Sequence, residues 1–512
     1  MAQRFTPMCR AAICPVLMCM TWQGGALAKS SEVQVKDDAL RVSVGRSGKP
    51  VFSDESGVQG LETFLAAVLG QLVYTSGSFE LKPGLLSRYY WDFEQKWYVL
   101  ELREGLKFHN GRAVTAGDLE FSLLRGLISK KGSWFKSFFA NVEGIRELDG
   151  KSVYKPGMAS GLRVLDSRRL AVKLSSPNPS FLHSLSRSYF SVVPREEMND
   201  DYLTWKRFPV GAGPYRVVST TSKGSQVMLE KYDVGASGPK RISFTSNGDE
   251  IESDIILGAP SEGSSFATET SARANGLTGI YFNFSNEFGK NLSFRRAVGF
   301  AVARAPLVDG VAAYNPSNEL LVSHFWGRAG VKESHDLERA KAEFSKLKVP
   351  STPIKIPVFN SEIGNGARSK YLETLRRQLA AAGLNVVFEK SQKKFFDESD
   401  QGIPFRIMTL GADVPDPTVL LGLFRNGSPI TPHYPPSDAE YERLYQNVAK
   451  AQSQDQRVLS VKAISQYFVD HAFAVPLFEA HASIGVNRKK VKSLGGQDGG
   501  LALYLERVVV NQ

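Results

Sequence analysis

Apolar and polar positions begin to alternate with a clear two-residue period at residues 96–103. Tyr98, Leu100 and Leu102 fall on one side and Val99, Glu101 and Arg103 on the other, the pattern of a half-buried strand. Leu106 and Phe108 extend it, and His109-Asn110-Gly111 supplies a turn in which glycine tolerates a positive φ. The period then becomes helical. Leu119, Leu123 and Leu127 share one face, and Phe121, Leu124 and Ile128 another. So wide an apolar arc belongs to a helix packed inside a large domain. Thr115 is placed to cap that helix, with Asp118 in its first turn facing the positive end of the dipole.

The same reading, applied along the chain, predicts a strand at 39–44 and a buried helix at 61–74 that ends on Tyr74. A two-strand unit follows at 161–174. Pro209-Val210-Gly211-Ala212-Gly213-Pro214-Tyr215 reads as a tight turn entering a strand. No Lys-Ser/Thr follows it and the next element is a strand, so it does not read as a phosphate cradle. Residues 235–275 are rich in Ser, Gly and acids and weakly patterned, and 277–285 is a strong strand carrying Tyr281 and Asn283. Helices are expected at 334–347, 369–382 (closed by Gly383), 417–424, 438–448 and 456–471, with strands at 354–359, 384–389, 405–411 and 474–478. Strands and helices mix without strict alternation and without a repeat, which points to an α/β protein.

Composition narrows the class. The chain has 512 residues, about three domain-sized units, and 42% hydrophobic with 22% charged residues is ordinary for a globular protein. Lys and Arg outnumber Asp and Glu by 63 to 52, a net +11. The charge is spread, with no zinc-finger spacing and no RNA-binding aromatic motif, so nucleic acid is not an expected partner. Residues 1–28 read as a secretion signal: Arg4 and Arg10 without acids, a short apolar run at 11–22, and Ala26-Leu27-Ala28 as a cleavage pattern. The mature chain would start at Lys29 with a net +9 in the periplasm. All 3 cysteines (Cys9, Cys14 and Cys19) lie inside that signal and follow large residues, which disfavours lipid attachment. A cysteine nucleophile, a disulfide and a Cys-ligated metal are thereby excluded from the mature chain. The 7 histidines show neither H-x₃-H nor H-E-x-x-H spacing, so neither a metal nor another cofactor is expected. There is no G-x-S-x-G elbow.

The order of these parts resembles the family of extracytoplasmic solute-binding proteins of peptide and nickel ABC importers (family 5). The resemblance rests on Leu102-Arg103, Gly105, Phe108 and Gly111 before Thr115-Ala116, Asp118 and Ser122, and on the 209–215 loop, which matches "P-V-G-T-G-P-Y" in six of seven positions. It continues with Arg295, Ala297 and Arg304 in a helix where Ala303 replaces the usual Asp, with Ala340-Lys341, with Asp455-Gln456-Arg457, and with Val475-Pro476-Leu477. It runs in collinear order from about residue 38 to 495.

What the resemblance implies is a two-lobed periplasmic-binding-protein fold (type II, cluster C) with a ligand cleft between the lobes. Lobe 1 would comprise 29–275 and 483–512, with an inserted subdomain at about 50–160, and lobe 2 would comprise 276–482. The chain crossings near 276–280 and 478–482 would form a hinge. The expected work is capture of oligopeptides or a related small ligand by a monomer that delivers them to a membrane permease, not catalysis. The alternatives are an exported hydrolase on the same kind of cleft and a binder of a non-peptide ligand such as a metal chelate. The family's amine-binding acid corresponds to Asp413, with Asp416 as the second candidate or a helix cap; Tyr74, Tyr281 and Asn283 are the other ligand-binding candidates. Where peptide-binding relatives often carry a Trp and an Arg, this chain has Leu410 and Ile407, while Arg406 is expected on the other face.

Overall fold

The computed structural model describes residues 38–44, 51–52, 58–75, 80–92, 94–129, 139, 141–145, 147–148, 150, 152–175, 181–221, 223–233, 235, 237–246, 252–260, 263–359, 366–391, 402–412, 414, 416–425, 438–451, 453–495 and 502–511. The signal read at 1–28, its cysteines and Asp413 therefore lie outside the described residues.

The opening pattern folds as its periods predict. Trp97–Leu102 is a strand of a four-stranded sheet and Ala116–Ile128 a helix. Thr115 and Asp118 form a reciprocal capping box. The Asp118 carboxylate also accepts from both Arg112 terminal nitrogens, at 2.9 and 2.7 Å. Ser122 donates to the Asp118 carbonyl and accepts from Val193 N–H. Gly111 has φ 89°, which a side chain rarely adopts. Thr115, Asp118 and Ser122 are thus engaged in holding the scaffold around this helix.

The glycine loop at 209–215 packs directly behind it. Gly213 N–H donates to Val68 O at 2.9 Å, and His109 N–H donates to Gly211 O at 2.9 Å. A Cβ on Gly211 would come within 2.3 Å of Val68 O, and one on Gly213 within 2.5 Å of Ala67 O. Neither glycine has positive φ; close approach of two backbones is what requires them. The helix they press on, Val58–Leu69, is shorter than expected. Gly70, at φ 75°, ends it, so Tyr74 lies in the short strand Val73–Thr75.

A single nine-stranded sheet runs through the molecule. Its order is Phe405–Gly411, Ala267–Phe282, Ala474–Val486, Ile255–Leu257, Leu40–Ser43, Arg241–Thr245, Gln226–Lys231 and Tyr215–Thr220, with Tyr314–Pro316 also pairing Ala474–Val486. The apolar side chains nevertheless gather in separate cores. One is built from residues between Leu40 and Leu257 together with Ile484–Val508. Two others lie within Ala274–Phe478 on opposite faces of the sheet. Two lobes thus share one sheet, joined by the crossing strands Ala267–Phe282 and Ala474–Val486.

Buried charges pin the second lobe. Arg295 is 5% exposed and donates to the carbonyls of Ala472, Gly289, Lys290 and His471. Burial pulls its guanidinium down to about 10, so it stays charged at neutral pH. Glu319 accepts from the N–H groups of Ala329, Gly330 and Val331 at 2.7–3.0 Å, holding the loop after Tyr314–Pro316.

Gly213→Ala should destabilise lobe 1 by about 1–3 kcal/mol, because the added methyl meets backbone atoms that cannot yield; urea unfolding followed by circular dichroism measures this. A pH series offers a second check. His109 Nε2 lies 2.9 Å from Gly213 O and so carries the proton, while Nδ1 accepts from Gly211 N–H. Burial, aided by Arg216, pulls the ring down to about 4, against the pull of the Gly213 bond. The unfolded ring, at its ordinary 6.5, binds the proton first. Stability should therefore fall as pH drops from about 6.5 toward 4. His109→Gln should flatten part of that slope in thermal melts, His324 supplying another part through its own pKa of about 4.

Candidate functional site

The separately packed cores are joined through the crossing strands Ala267–Phe282 and Ala474–Val486. Their pairing is regular at each end, Thr268 opposite Gly485 on the lobe 1 side and Ile280 opposite Val475 on the lobe 2 side. It shifts register between Thr270 and Ala274, between Ala274 and Gly276, and once more between Thr278 and Gly279. Such bulges concentrate twist and bending. They run from just ahead of 276–280 into that stretch, where 276–282 is also laddered to 405–411.

Ser271 organises the irregular segment. Its hydroxyl donates to Arg273 O at 2.6 Å and accepts from Ala482 N–H at 3.0 Å. The Ser271 carbonyl lies 2.8 Å from His481 Nδ1. A carbonyl only accepts, so Nδ1 is the protonated nitrogen, and Nε2 accepts from Asn315 Nδ2 at 3.0 Å. Asn275 O accepts from Ala412 N–H at 2.7 Å, which brings the 412–416 loop to the joint.

Asp416 caps the helix Pro417–Gly422, accepting from Thr418 N–H at 2.8 Å and from its hydroxyl at 2.5 Å. Its other oxygen is 3.1 Å from Arg457 Nη2. With the residue 1% exposed, both oxygens are taken up in holding the loop. The Arg457 guanidinium also lies 4.9 Å from the Trp326 ring centre, a cation–π distance. Tyr98, on the lobe 1 strand Trp97–Leu102, senses the same charge: burial pushes its phenol up and Arg457 pulls it part of the way back.

The other candidates are spread apart. Tyr74 is half-buried in lobe 1, edge-on to Tyr504 at 5.5 Å, with the Arg507 guanidinium 5.9 Å from its ring. Burial, then Glu506, raises its phenol. Tyr281 is fully enclosed in a lobe 2 core, stacked on Phe424 at 6.0 Å. Asn283 donates to Ile403 O at 3.0 Å and accepts from Ser285 N–H at 2.9 Å, holding the turn after the crossing strand. Arg406, 2% exposed, stands opposite Tyr281 in the ladder, and Ile407 belongs to the core on the other face. Sequence reasoning did not single out Ser271, Arg273, His481 or Trp326, since no local period marks a joint. Arg457 was legible only through its Asp455-Gln456-Arg457 turn. Among the described residues no cluster of His, Cys, Asp and Glu is placed to hold a metal ion, and no helix is long and apolar enough to cross a membrane.

Comparison with known proteins puts this geometry in context. The family profile described as bacterial extracellular solute-binding proteins, family 5 Middle, matches residues 80–432. The dipeptide-binding protein DppE of Bacillus subtilis (strain 168) is 22% identical over 454 residues, 81% of this chain and 81% of its own length. Among solved structures, Haemophilus influenzae OppA in complex with RPPGFSPFR superposes with a TM-score of 0.74 at 16% identity, covering 94% of this chain and all of that one. DppA from Helicobacter pylori in complex with the peptide STSA gives 0.72 at 16% identity, over 93% and 98% of the two chains. These likenesses show a two-lobed periplasmic-binding-protein fold.

Asp416→Ala removes a helix cap and strands Arg457, and should cost about 3 kcal/mol of stability. Asp416→Asn, which keeps an acceptor for Thr418, should cost less. Denaturant midpoints of the two variants measure the difference.

Proposed function

Because the chain belongs to the bacterial extracellular solute-binding proteins of family 5, we propose that it captures peptides in the cleft between its lobes and delivers them to an ABC permease. Binding, not catalysis, is the work of the family. The observation that carries the reading is the joint itself: two bulged strands connect separately packed cores, an arrangement suited to hinge bending. Contacts made only in the closed state would draw the population toward it. The peptides named with the OppA and DppA structures support a peptide cargo.

In this reading 29–275 with 483–512 forms lobe 1, 276–482 forms lobe 2, and the protein acts as a periplasmic monomer after cleavage before Lys29. Asp413 holds the ligand's ammonium group. Its neighbour Ala412 is tied to Asn275, and Asp416 caps the helix Pro417–Gly422. Tyr74, with its half-buried ring, Tyr281, Asn283 and Asp416 support the walls.

Native mass spectrometry of protein purified without refolding should reveal a retained peptide, and a pool of di- to pentapeptides should raise the melting temperature without being hydrolysed. Hydrolysis of the pool would move the assignment to an exported hydrolase, and a retained metal chelate would move it to a non-peptide carrier. Asp413→Ala should weaken ligands with a free amine by about 2–5 kcal/mol and leave N-acetylated ones unchanged. Equal affinity of wild type and variant for a free-amine ligand would remove Asp413 from the site.

A further inference from the structure

We propose that the ribbon formed by Val491–Ser493 and Val509–Val510, with the basic turn that leads into it, is a docking surface for an anionic phospholipid membrane.

The two strands pair antiparallel, Val491 opposite Val510 and Ser493 opposite Val509, and among the described residues no third strand joins them. Val491, Leu494 and Val508 are buried in the core that also contains Leu40 and Leu257, which roots the ribbon in the fold. Val509 and Val510, by contrast, are 46% and 40% exposed. Successive strand residues point to opposite faces, so apolar surface shows on both sides of the ribbon's end. A rigid protein partner covers one side of such an end. The boundary layer of a membrane surrounds an inserted ribbon and takes both.

The charge beside these valines is positive and largely unmet. Arg488, Lys489, Lys490 and Lys492 are all exposed. Arg488 pairs with Glu269. Among the described residues no carboxylate lies within ion-pair distance of Lys489, Lys490 or Lys492. Nor do the lysine side chains hold the turn together, because two asparagines do. Asn487 accepts from Lys489 N–H through its side chain at 3.1 Å, and from Lys490 and Val491 N–H through its carbonyl at 3.0 and 2.9 Å. The Asn511 side chain donates to Arg488 O and Lys489 O at 3.0 and 3.1 Å, and its backbone N–H to Lys490 O at 2.8 Å. Three ammonium groups therefore stand on flexible stems above a fixed backbone.

Lysines on an exposed edge can serve to keep strands from pairing, but exposed valines beside them work against that role. Lysines around exposed valines suit a surface whose charge is diffuse and whose depth is apolar: the ammonium groups reach the phosphates while the valines enter the boundary. A second copy of this chain is disfavoured as the occupant, since it would bring the same cations. For the carrier proposed above, adhesion of this kind would shorten the search for its permease; the docking itself does not depend on that reading.

The test sediments the full mature chain with phosphatidylglycerol–phosphatidylcholine vesicles and with pure phosphatidylcholine vesicles. Wild type should bind the anionic vesicles and not the neutral ones, less as salt rises. Lys489→Gln/Lys490→Gln/Lys492→Gln should lose about a hundredfold at low salt, about fivefold for each lysine. Val509→Ser/Val510→Ser should weaken binding with its salt dependence unchanged. Lys223→Gln/Lys332→Gln/Lys348→Gln removes the same charge from exposed lysines elsewhere and should bind as wild type does. Equal losses in the two triple variants, or equal binding of wild type to both kinds of vesicle, would overturn the docking surface. Binding to polyglutamate without binding to anionic vesicles would overturn it in favour of an acidic protein segment. The melting temperature and its rise with peptides should be unchanged in the Lys489/Lys490/Lys492 variant, which separates docking from fold and solute capture. If wild type takes no peptide, the solute reading fails and the vesicle result still decides the surface.

Discussion

Two groups of apolar side chains that pack separately are tied together by a pair of antiparallel strands, and the rest of the architecture follows from what that pair must do. Ala267–Phe282 and Ala474–Val486 belong to the lobe 1 sheet at one end and to the lobe 2 sheet at the other. In between they lose the third strand that would brace them, and the ladder shifts register there. A regular ladder across the gap would make the sheet stiff. An unpaired gap would leave backbone groups unsatisfied at substantial cost. Ser271 and His481 resolve the conflict by side-chain bonds, satisfying the backbone where the ladder cannot.

If bending is to be confined to that segment, each lobe has to be rigid on its own, and the buried charges serve this end. Arg295 gathers four carbonyls from two chain regions far apart in sequence. Arg304 reaches Pro476 O at 2.8 Å, and Glu319 holds three successive N–H groups. Such groups are expensive to bury alone and hold firmly once every partner is present. In lobe 1 the same role falls to close backbone approach, where Gly211 and Gly213 let a loop press on the helix Val58–Leu69.

How much of this the sequence disclosed depends on whether a position faces a core. The capped helix at 116–128, the strand at 97–102 and Gly383 as a helix stop were legible because periodicity and capping chemistry are local signals. Helix ends moved by a few residues where glycine conformation decided, as at Gly70, and this carried Tyr74 from a helix into a strand. The segment 267–276 was not read as a strand at all. It is half of a ribbon lying between cores, so neither face is consistently apolar and no alternation marks it. The candidate side chains were chosen by position in a motif, and position does not say whether a polar group is already satisfied. Asn283 and Asp416 prove to be engaged by their own turns, which only the geometry discloses.

Residues that make the lobes and residues that stand where the lobes join are held by different kinds of partner. A lobe-building residue has partners set by the fold, and replacing it costs stability whatever the solute. At the joint, Ser271 and His481 hold the backbone of the two crossing strands through their side chains. Side chains on backbone held in that way can vary in charge without loss of the fold, which makes the joint a natural place for one member of a common architecture to set its ligand chemistry apart. The end of the polar stretch that sequence patterning left unassigned is therefore part of the joint, where the strand Ala267–Phe282 runs between the cores.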